Sequence, residues 1–350
     1  MLQYLRDYLP LLSLRNRHVP AAVKNAKLSS KRWFCLPVHE YGDIYIFFVN
    51  KAERMDKIET LLQGIKQGDF ISIARALTIV ENSLADSEAL LRAVEVQRNT
   101  PIIGITGPPG AGKSTLVNAI TANYADAGKR VAILAVDPTS PFNFGSLLGD
   151  RIRMAQQFNK PNVYIRSVAT RGALGGISTK TMEMVDVLSA SNFDIIIIET
   201  VGVGQSELEI AGLAERTVVV LVPESGDEIQ NIKSGLMEIA QAFVVNKSDR
   251  EGADLFANNL KKMLRHSEPE VPVFRTVADK NEGIEPLCAW LSVPLQQDNF
   301  RKPCLLAEKA FKLLQFYRTQ DVDKQRLLAD IKVALEEKNF NIYRFIDAWR

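Results

Sequence analysis

A chain of 350 residues with 46% hydrophobic and 24% charged residues lies inside the composition of folded globular proteins and outside that of disordered ones. Its formal net charge of +2 supplies no long-range field, and no apolar run reaches the about 20 residues of a membrane-spanning helix, so neither nucleic acid nor membrane is an expected partner. Cys35, Cys288 and Cys304 are isolated along the chain, which leaves neither a disulfide framework nor a zinc motif and suits a reducing cytoplasmic setting.

Residues 1–34 hold seven Lys or Arg against one acid, Asp7, without the amphipathic pattern of a transit peptide. The apolar stretch at 33–49 reads as strand-like, and Met55 stands just before the first convincing helix, so residues 1–54 read either as a lineage-specific extension or as an over-long gene start. Over 55–96, apolar residues recur at helical spacing: Ile58, Leu61, Leu62 and Ile65, then Ile73, Leu77 and Val80, with Gly68-Asp69 as stop and N-cap. From Pro101 short β-branched runs alternate with helical stretches. Strands are expected at Ile102–Thr106, 131–136, 163–167, Ile195–Glu199, 217–222, 242–246 and 273–277, the pattern of a parallel sheet covered on both faces. The expected fold is therefore α/β, a doubly wound, mostly parallel sheet over 99–292, with a helical lead-in at 55–98. Pro294 and Gln296-Gln297 mark a linker, and 300–350 reads as helices of mixed charge.

Gly107-Pro108-Pro109-Gly110-Ala111-Gly112-Lys113-Ser114 fits the P-loop pattern and sits between an expected strand and a helix over 114–127. The glycines let backbone N–H groups wrap phosphates, and the helix N-terminus adds its positive end. Lys113 reaches the β and γ phosphates, the Ser114 hydroxyl ligates Mg2+, and Thr115 comes next as a further nucleotide contact. Asn246-Lys247-Ser248-Asp249, ending an apolar strand, reads the base. A carboxylate at Asp249 accepts hydrogen bonds from N1–H and the 2-amino group of guanine, and adenine offers neither donor. GTP and GDP are thus the expected ligands. Val277, Ala278 and Asp279, at the end of the next strand, lie where such proteins close a loop over the base. Asp137 and Glu199 end strands, where open α/β sheets place ligand chemistry, and both can face Mg2+ directly or through water. Gly202 and Gly204 supply backbone that can respond to a γ-phosphate.

The segments Asp137-Pro138-Thr139-Ser140-Pro141, Gly145-Ser146-Leu147-Leu148-Gly149-Asp150-Arg151-Ile152-Arg153-Met154, Arg171-Gly172-Ala173-Leu174-Gly175-Gly176, Glu199-Thr200-Val201-Gly202-Val203-Gly204-Gln205-Ser206-Glu207 and Gly226-Asp227-Glu228-Ile229-Gln230 resemble the signatures of the MeaB/ArgK family. The resemblance covers about 55–290. It implies a SIMIBI-class P-loop GTPase, usually a homodimer, that binds methylmalonyl-CoA mutase or another adenosylcobalamin-dependent acyl-CoA mutase and gates delivery and protection of its cobalamin. By the same resemblance Ser114, Asp137, Asp150 and Glu199 form the Mg2+ shell. Residues 150–153 then belong to switch I, 199–207 to switch II, and 226–230 to a third switch that signals to the mutase. Arg153 matches a family arginine near the phosphates, with Arg151 an equal candidate. The implied catalytic set is Lys113, Asp150, Arg153 and Glu199, with Gln205 and Glu207 as candidates to position the water. Residues 300–350 would supply a dimerisation arm. Val277 departs from the family's serine, and residues 1–54 have no family counterpart. Two rivals are a kinase that phosphorylates an amino-acid transport binding protein, against which guanine selectivity speaks, and a nickel metallochaperone GTPase, which the scattered His18, His39 and His266 do not suit.

Overall fold

The computed structural model describes residues 42–96, 100–137, 157–169, 179–200, 210–226, 236–265, 270–294, 301–319, 321–336, 340–347 and 349. Contacts divide the chain into two units, Met1–Glu53 and Arg54–Arg350. The described part of the first unit is the start of helix α1 (Gly42–Gln67). Residues 42–49, expected as strand, are therefore helical. A short apolar run suits either state by periodicity alone, and this one joins the amphipathic stretch after Met55 with no Gly or Pro between Asp43 and Gln63. Once that stretch has nucleated a helix, extending it costs only propagation.

In the second unit α1 stops at Gly68, whose φ is +74°, and Asp69 caps α2 (Phe70–Glu81) by accepting from the N–H groups of Ile71 (3.4 Å) and Ser72 (2.8 Å). The Gly-Asp pair thus acts as stop and cap, as expected. Helix α3 (Ser87–Ala93) completes the lead-in. Arg130 fastens it to the sheet: Nη2 donates to the Gly68 carbonyl (2.6 Å), and the guanidinium lies 5.3 Å and 5.7 Å from the ring centres of Phe70 and Phe193.

The sheet is built from β1 (Ile102–Thr106), β2 (Val131–Asp137), β3 (Val163–Ala169), β4 (Ile195–Glu199), β5 (Arg216–Leu221), β6 (Ala242–Val245) and β7 (Val273–Arg275). Every strand expected from Pro101 onward is present, with ends moved by at most two residues. The seven strands run in the order β3-β2-β4-β1-β5-β6-β7, and every neighbouring pair is parallel. Both faces are covered. Ile103, Ile105, Ile197, Val218 and Val220 pack against α4 (Lys113–Asp126) and α8 (Ile284–Ser292) through Leu116, Ile120, Leu287 and Leu291. The alternate residues Leu134, Ile196 and Ile198 meet Ile73 and Leu77 of α2 and Val185 and Leu188 of α5 (Thr179–Ser189). Farther along that face Val219, Leu221 and Phe243 meet Phe256 and Leu260 of α7 (Ala253–Leu264), which follows the short α6 (Leu236–Ile239). Burial on both sides explains why these strands read as unbroken apolar runs.

Beyond the sheet come α9 (Arg301–Thr319), α10 (Lys324–Ala334) and α11 (Ile342–Asp347). Helix α9 lies on α5, where Lys309 Nζ is 2.5 Å from Asp186 Oδ1 and the Tyr317 hydroxyl donates to Glu183 Oε1 at 3.2 Å. The chain leaves the central β1 for β2 and β3, returns with β4, then continues to β5 on the other side of β1. That reversal makes the C-terminal end of β1 the natural ligand position.

Candidate functional site

The phosphate loop rises from the end of β1. Gly107, Gly110 and Gly112 take φ of +137°, +77° and +85°. At two of these, close approach also demands glycine: a Cβ at Gly107 would stand 2.1 Å from the Val220 carbonyl oxygen, and one at Gly112 would stand 2.4 Å from Asn246 Nδ2. Gly112 leads into α4 without a side-chain cap, so the first-turn N–H groups and the helix dipole are left for an anion. Pro109, Gly110 and Thr115 are exposed, Pro108 is half-buried and Ala111 is buried. Lys113 is buried, and its Nζ donates to the carbonyls of Gly107 (2.8 Å) and Pro108 (3.0 Å).

Ser114, next on α4, donates from Oγ to Glu199 Oε1 at 2.6 Å, and both residues are buried. Glu199 is in register with Ile105 of β1 and Ala135 of β2, so Asp137 ends β2 two residues farther along the same sheet edge. A hydroxyl in contact with a carboxylate is a set of hard oxygen donors, which Mg2+ accepts alongside waters and phosphate oxygens. The pair fits that metal.

The base motif is bonded to the phosphate loop. Asn246, buried at the end of β6, donates from Nδ2 to the Ala111 carbonyl (2.9 Å), while its Oδ1 accepts from the Thr276 hydroxyl (3.1 Å) and the Ala278 N–H (3.2 Å). Lys247, at φ +54°, donates from Nζ to the Gly110 carbonyl at 2.7 Å. Ser248 N–H donates to the Thr276 carbonyl (3.0 Å). Asp249 pairs with Lys280 at 2.8 Å, and that ammonium holds its carboxyl below the usual carboxylate range. In the loop after β7, the Val277 N–H donates to the Glu282 carbonyl (3.0 Å), so the N–H groups of Val277 and Ala278 are engaged within the protein, and Asp279 is exposed beyond them. A cavity of about 300 Å3 opens here, lined by Ser248, Asp249, Thr276, Val277 and Glu282. Arg250 pairs with Glu224, in the turn Pro223–Gly226 that leads toward the third expected switch.

The structure thus brings Lys113, Ser114, Glu199, Asn246, Lys247, Asp249, Val277 and Ala278 to one end of the sheet. Asp150, Arg151, Arg153, Gln205, Glu207 and residues 227–230 lie outside the described residues, as does the side chain of Asp137. Motif reading missed Lys280, the Arg250–Glu224 pair, and a hydroxyl pair between Thr106 and Thr200. The threonines left a signal in the sequence, polar residues closing two apolar strands. The ion pairs left none.

A P-loop whose serine meets a strand-end carboxylate, with an Asn-Lys-Ser-Asp motif bonded back to the loop, is the arrangement of a P-loop GTPase. A family model described as methylmalonyl Co-A mutase-associated GTPase MeaB matches residues 73–309, and the chain belongs to that family. A Pyrococcus horikoshii protein named as a GTPase is 43% identical over 263 residues, 73% of this chain and 82% of its own. The mouse protein named methylmalonic aciduria type A homolog, mitochondrial, is 37% identical over 250 residues, 65% of this chain and 60% of its own. Among solved structures, one titled LAO/AO transport system kinase superposes with a TM-score of 0.57 at 25% identity, covering 80% of this chain and 92% of that one.

Proposed function

We propose that this GTPase is Mg2+-dependent, that it works as a homodimer in the cytoplasm, and that it gates cobalamin loading and protection of an adenosylcobalamin-dependent acyl-CoA mutase. Asn246 supports the nucleotide half of this reading, because its bonds to Ala111 and Ala278 join the phosphate loop and the base loop into one site. Lys113 and the loop N–H groups hold the phosphates. Ser114 and Glu199, with Asp137 and Asp150, hold Mg2+, which when bound neutralises charge developing on the γ-phosphate. Asp249 accepts from guanine. Catalysis is then mostly positioning and electrostatics, with Arg153 near the phosphates. The mutase half rests on the family and on the three switch-like segments. A segment ordered by γ-phosphate biases a partner only if that partner binds the two nucleotide states unequally.

Calorimetry tests the first half: GTP should bind far more tightly than ATP, and Asp249→Asn should shift preference toward xanthosine nucleotides, whose 2-oxo group accepts where guanine donates. Equal affinity of the unaltered protein for GTP and ATP would remove the guanine assignment. For the second half, GTP and GDP affinities are measured with and without the methylmalonyl-CoA mutase of the same organism. Linkage requires the mutase to change their ratio, by about 5- to 150-fold for usual couplings. Absence of any complex would leave a GTPase with another client. Radiolabel passing from the γ-phosphate of GTP to an amino-acid-binding protein would favour the kinase function named for the solved relative.

A further inference from the structure

We infer that Thr106 and Thr200 are positioning residues whose buried hydroxyl pair holds Glu199 on Ser114. The inference rests on the reading of Ser114 and Glu199 as Mg2+ holders. Thr106 closes β1 directly before the phosphate loop, and Thr200 comes directly after the last residue of β4. Both are buried, at 0% and 2% exposure, and their Oγ1 atoms are 2.9 Å apart. The Thr200 N–H donates to the Ile105 carbonyl at 3.0 Å, which carries the β1–β4 ladder one step past Glu199.

Side chains alternate across a strand. Glu199, in register with Ile105, emerges on the side of α4 and meets Ser114 there, so Thr106 and Thr200 point to the opposite side. That side is apolar: a Cβ at Gly104, two residues before Thr106, would press on Ile210 and Ala214. A lone hydroxyl among such neighbours forfeits its hydration without compensation. At the level of Thr106 the neighbouring strands β5 and β6 carry Val219 and Phe243, so a hydroxyl is not what this sheet generally carries there. The pair clamps the backbone on one face where the carboxylate leaves on the other. With the clamp, the end of β4 cannot twist and carry Glu199 away from Ser114, so the phosphate loop and the root of switch II keep one spacing.

The test uses the full chain with Thr106→Val, Thr200→Val, both together, and Thr200→Ser. The first readout is retention of a fluorescent, non-hydrolysable GTP analogue across a Mg2+ series, the second is the Mg2+ needed for half-maximal hydrolysis, and the third is the melting temperature without nucleotide. Each valine should raise the Mg2+ requirement about 5- to 10-fold, the effect of one buried hydrogen bond. The double variant should be no worse than either single, because both remove one bond, and Thr200→Ser should restore the original requirement. An unchanged Mg2+ requirement with a lower melting temperature would reduce the pair to packing and overturn the inference. Additive valine effects would do the same. Should Thr200→Val fail to fold, Thr106→Val reads the bond from its other end. Retention by the unaltered protein that ignores Mg2+ would instead remove the metal reading, and the inference with it.

Discussion

Gly112 stands where a single methyl group would separate the phosphate loop from the base motif. Its φ of +85° costs an L side chain about 1–2 kcal/mol, and the added carbon would meet Asn246 Nδ2 at 2.4 Å. Gly112→Ala should therefore cost about 1–2 kcal/mol in urea unfolding without nucleotide and also weaken GTP binding, measured by calorimetry, because Asn246 must shift to make room for the added carbon. Asp249 makes a prediction in pH. Only its ionised form can accept both guanine donors. The Lys280 ammonium lowers its pKa, so the affinity it confers is present at and above the usual carboxylate range and falls only as pH drops through the depressed value. Lys280→Ala should shift that acid limb upward, toward the ordinary carboxylate value, in GDP affinity followed against pH. An acid limb common to both proteins would detach Lys280 from the reader. Lys247 holds a left-handed backbone without being glycine, and its bond to Gly110 shows one constraint that keeps it there.

At the scale of elements, helix α8 is tied down at its C-terminal end. Arg216 opens β5 yet is buried, and its guanidinium donates to the carbonyls of Trp290 (2.5 Å), Leu291 (2.9 Å) and Val293 at the C-terminal end of α8. It also lies 4.7 Å over the Trp290 ring. The cation thus meets both the orphan carbonyls and the negative end of the helix dipole. Arg216→Met should cost about 2–4 kcal/mol in urea unfolding, and Arg216→Lys should recover only part of it, since an ammonium lacks the planar fork that spans several carbonyls. Helix α9 is held differently. It meets α5 through the Lys309–Asp186 and Tyr317–Glu183 pairs and through Lys180, whose Nζ lies 5.1 Å from the centre of the Phe316 ring, while Leu306, Phe311 and Leu314 are exposed. Burial pushes the Asp186 carboxyl above its usual range in spite of Lys309, so this docking balances desolvation against charge pairing.

For the molecule as a whole, nucleotide binding and stability are one equilibrium, and a thiol reports it. Cys288 is buried on α8, and burial pushes its thiol up to about 12, so thiolate is scarce at pH 8 and labelling requires unfolding. Cys304 is exposed. A thiol reagent should modify Cys304 at once and Cys288 slowly. GDP at about 100 times its dissociation constant should slow the Cys288 reaction about 100-fold if opening is global, because a ligand of the native state adds about 2.7 kcal/mol. Prompt labelling of Cys288, read by mass spectrometry of the separated peptides, would contradict its burial. Among the described residues no helix is long and apolar enough to cross a membrane.

The sequence by itself determined the seven strands of the sheet, the phosphate-loop motif, the cap at Asp69 and the family. Each of these is local: a buried strand must be apolar along its length, a phosphate loop must be glycine where φ is positive, and Asp69 caps the helix it precedes. Tertiary structure decided the rest. The hydroxyls of Thr106 and Thr200, 94 residues apart, meet because β4 inserts beside β1. Asp186 and Lys309, 123 residues apart, choose the face on which a helix of mixed charge docks. Residues 42–49, whose short apolar run suited either state, belong to the helix that runs on to Gln67. Periodicity records which way a side chain must face, but the order of strands decides what it meets there.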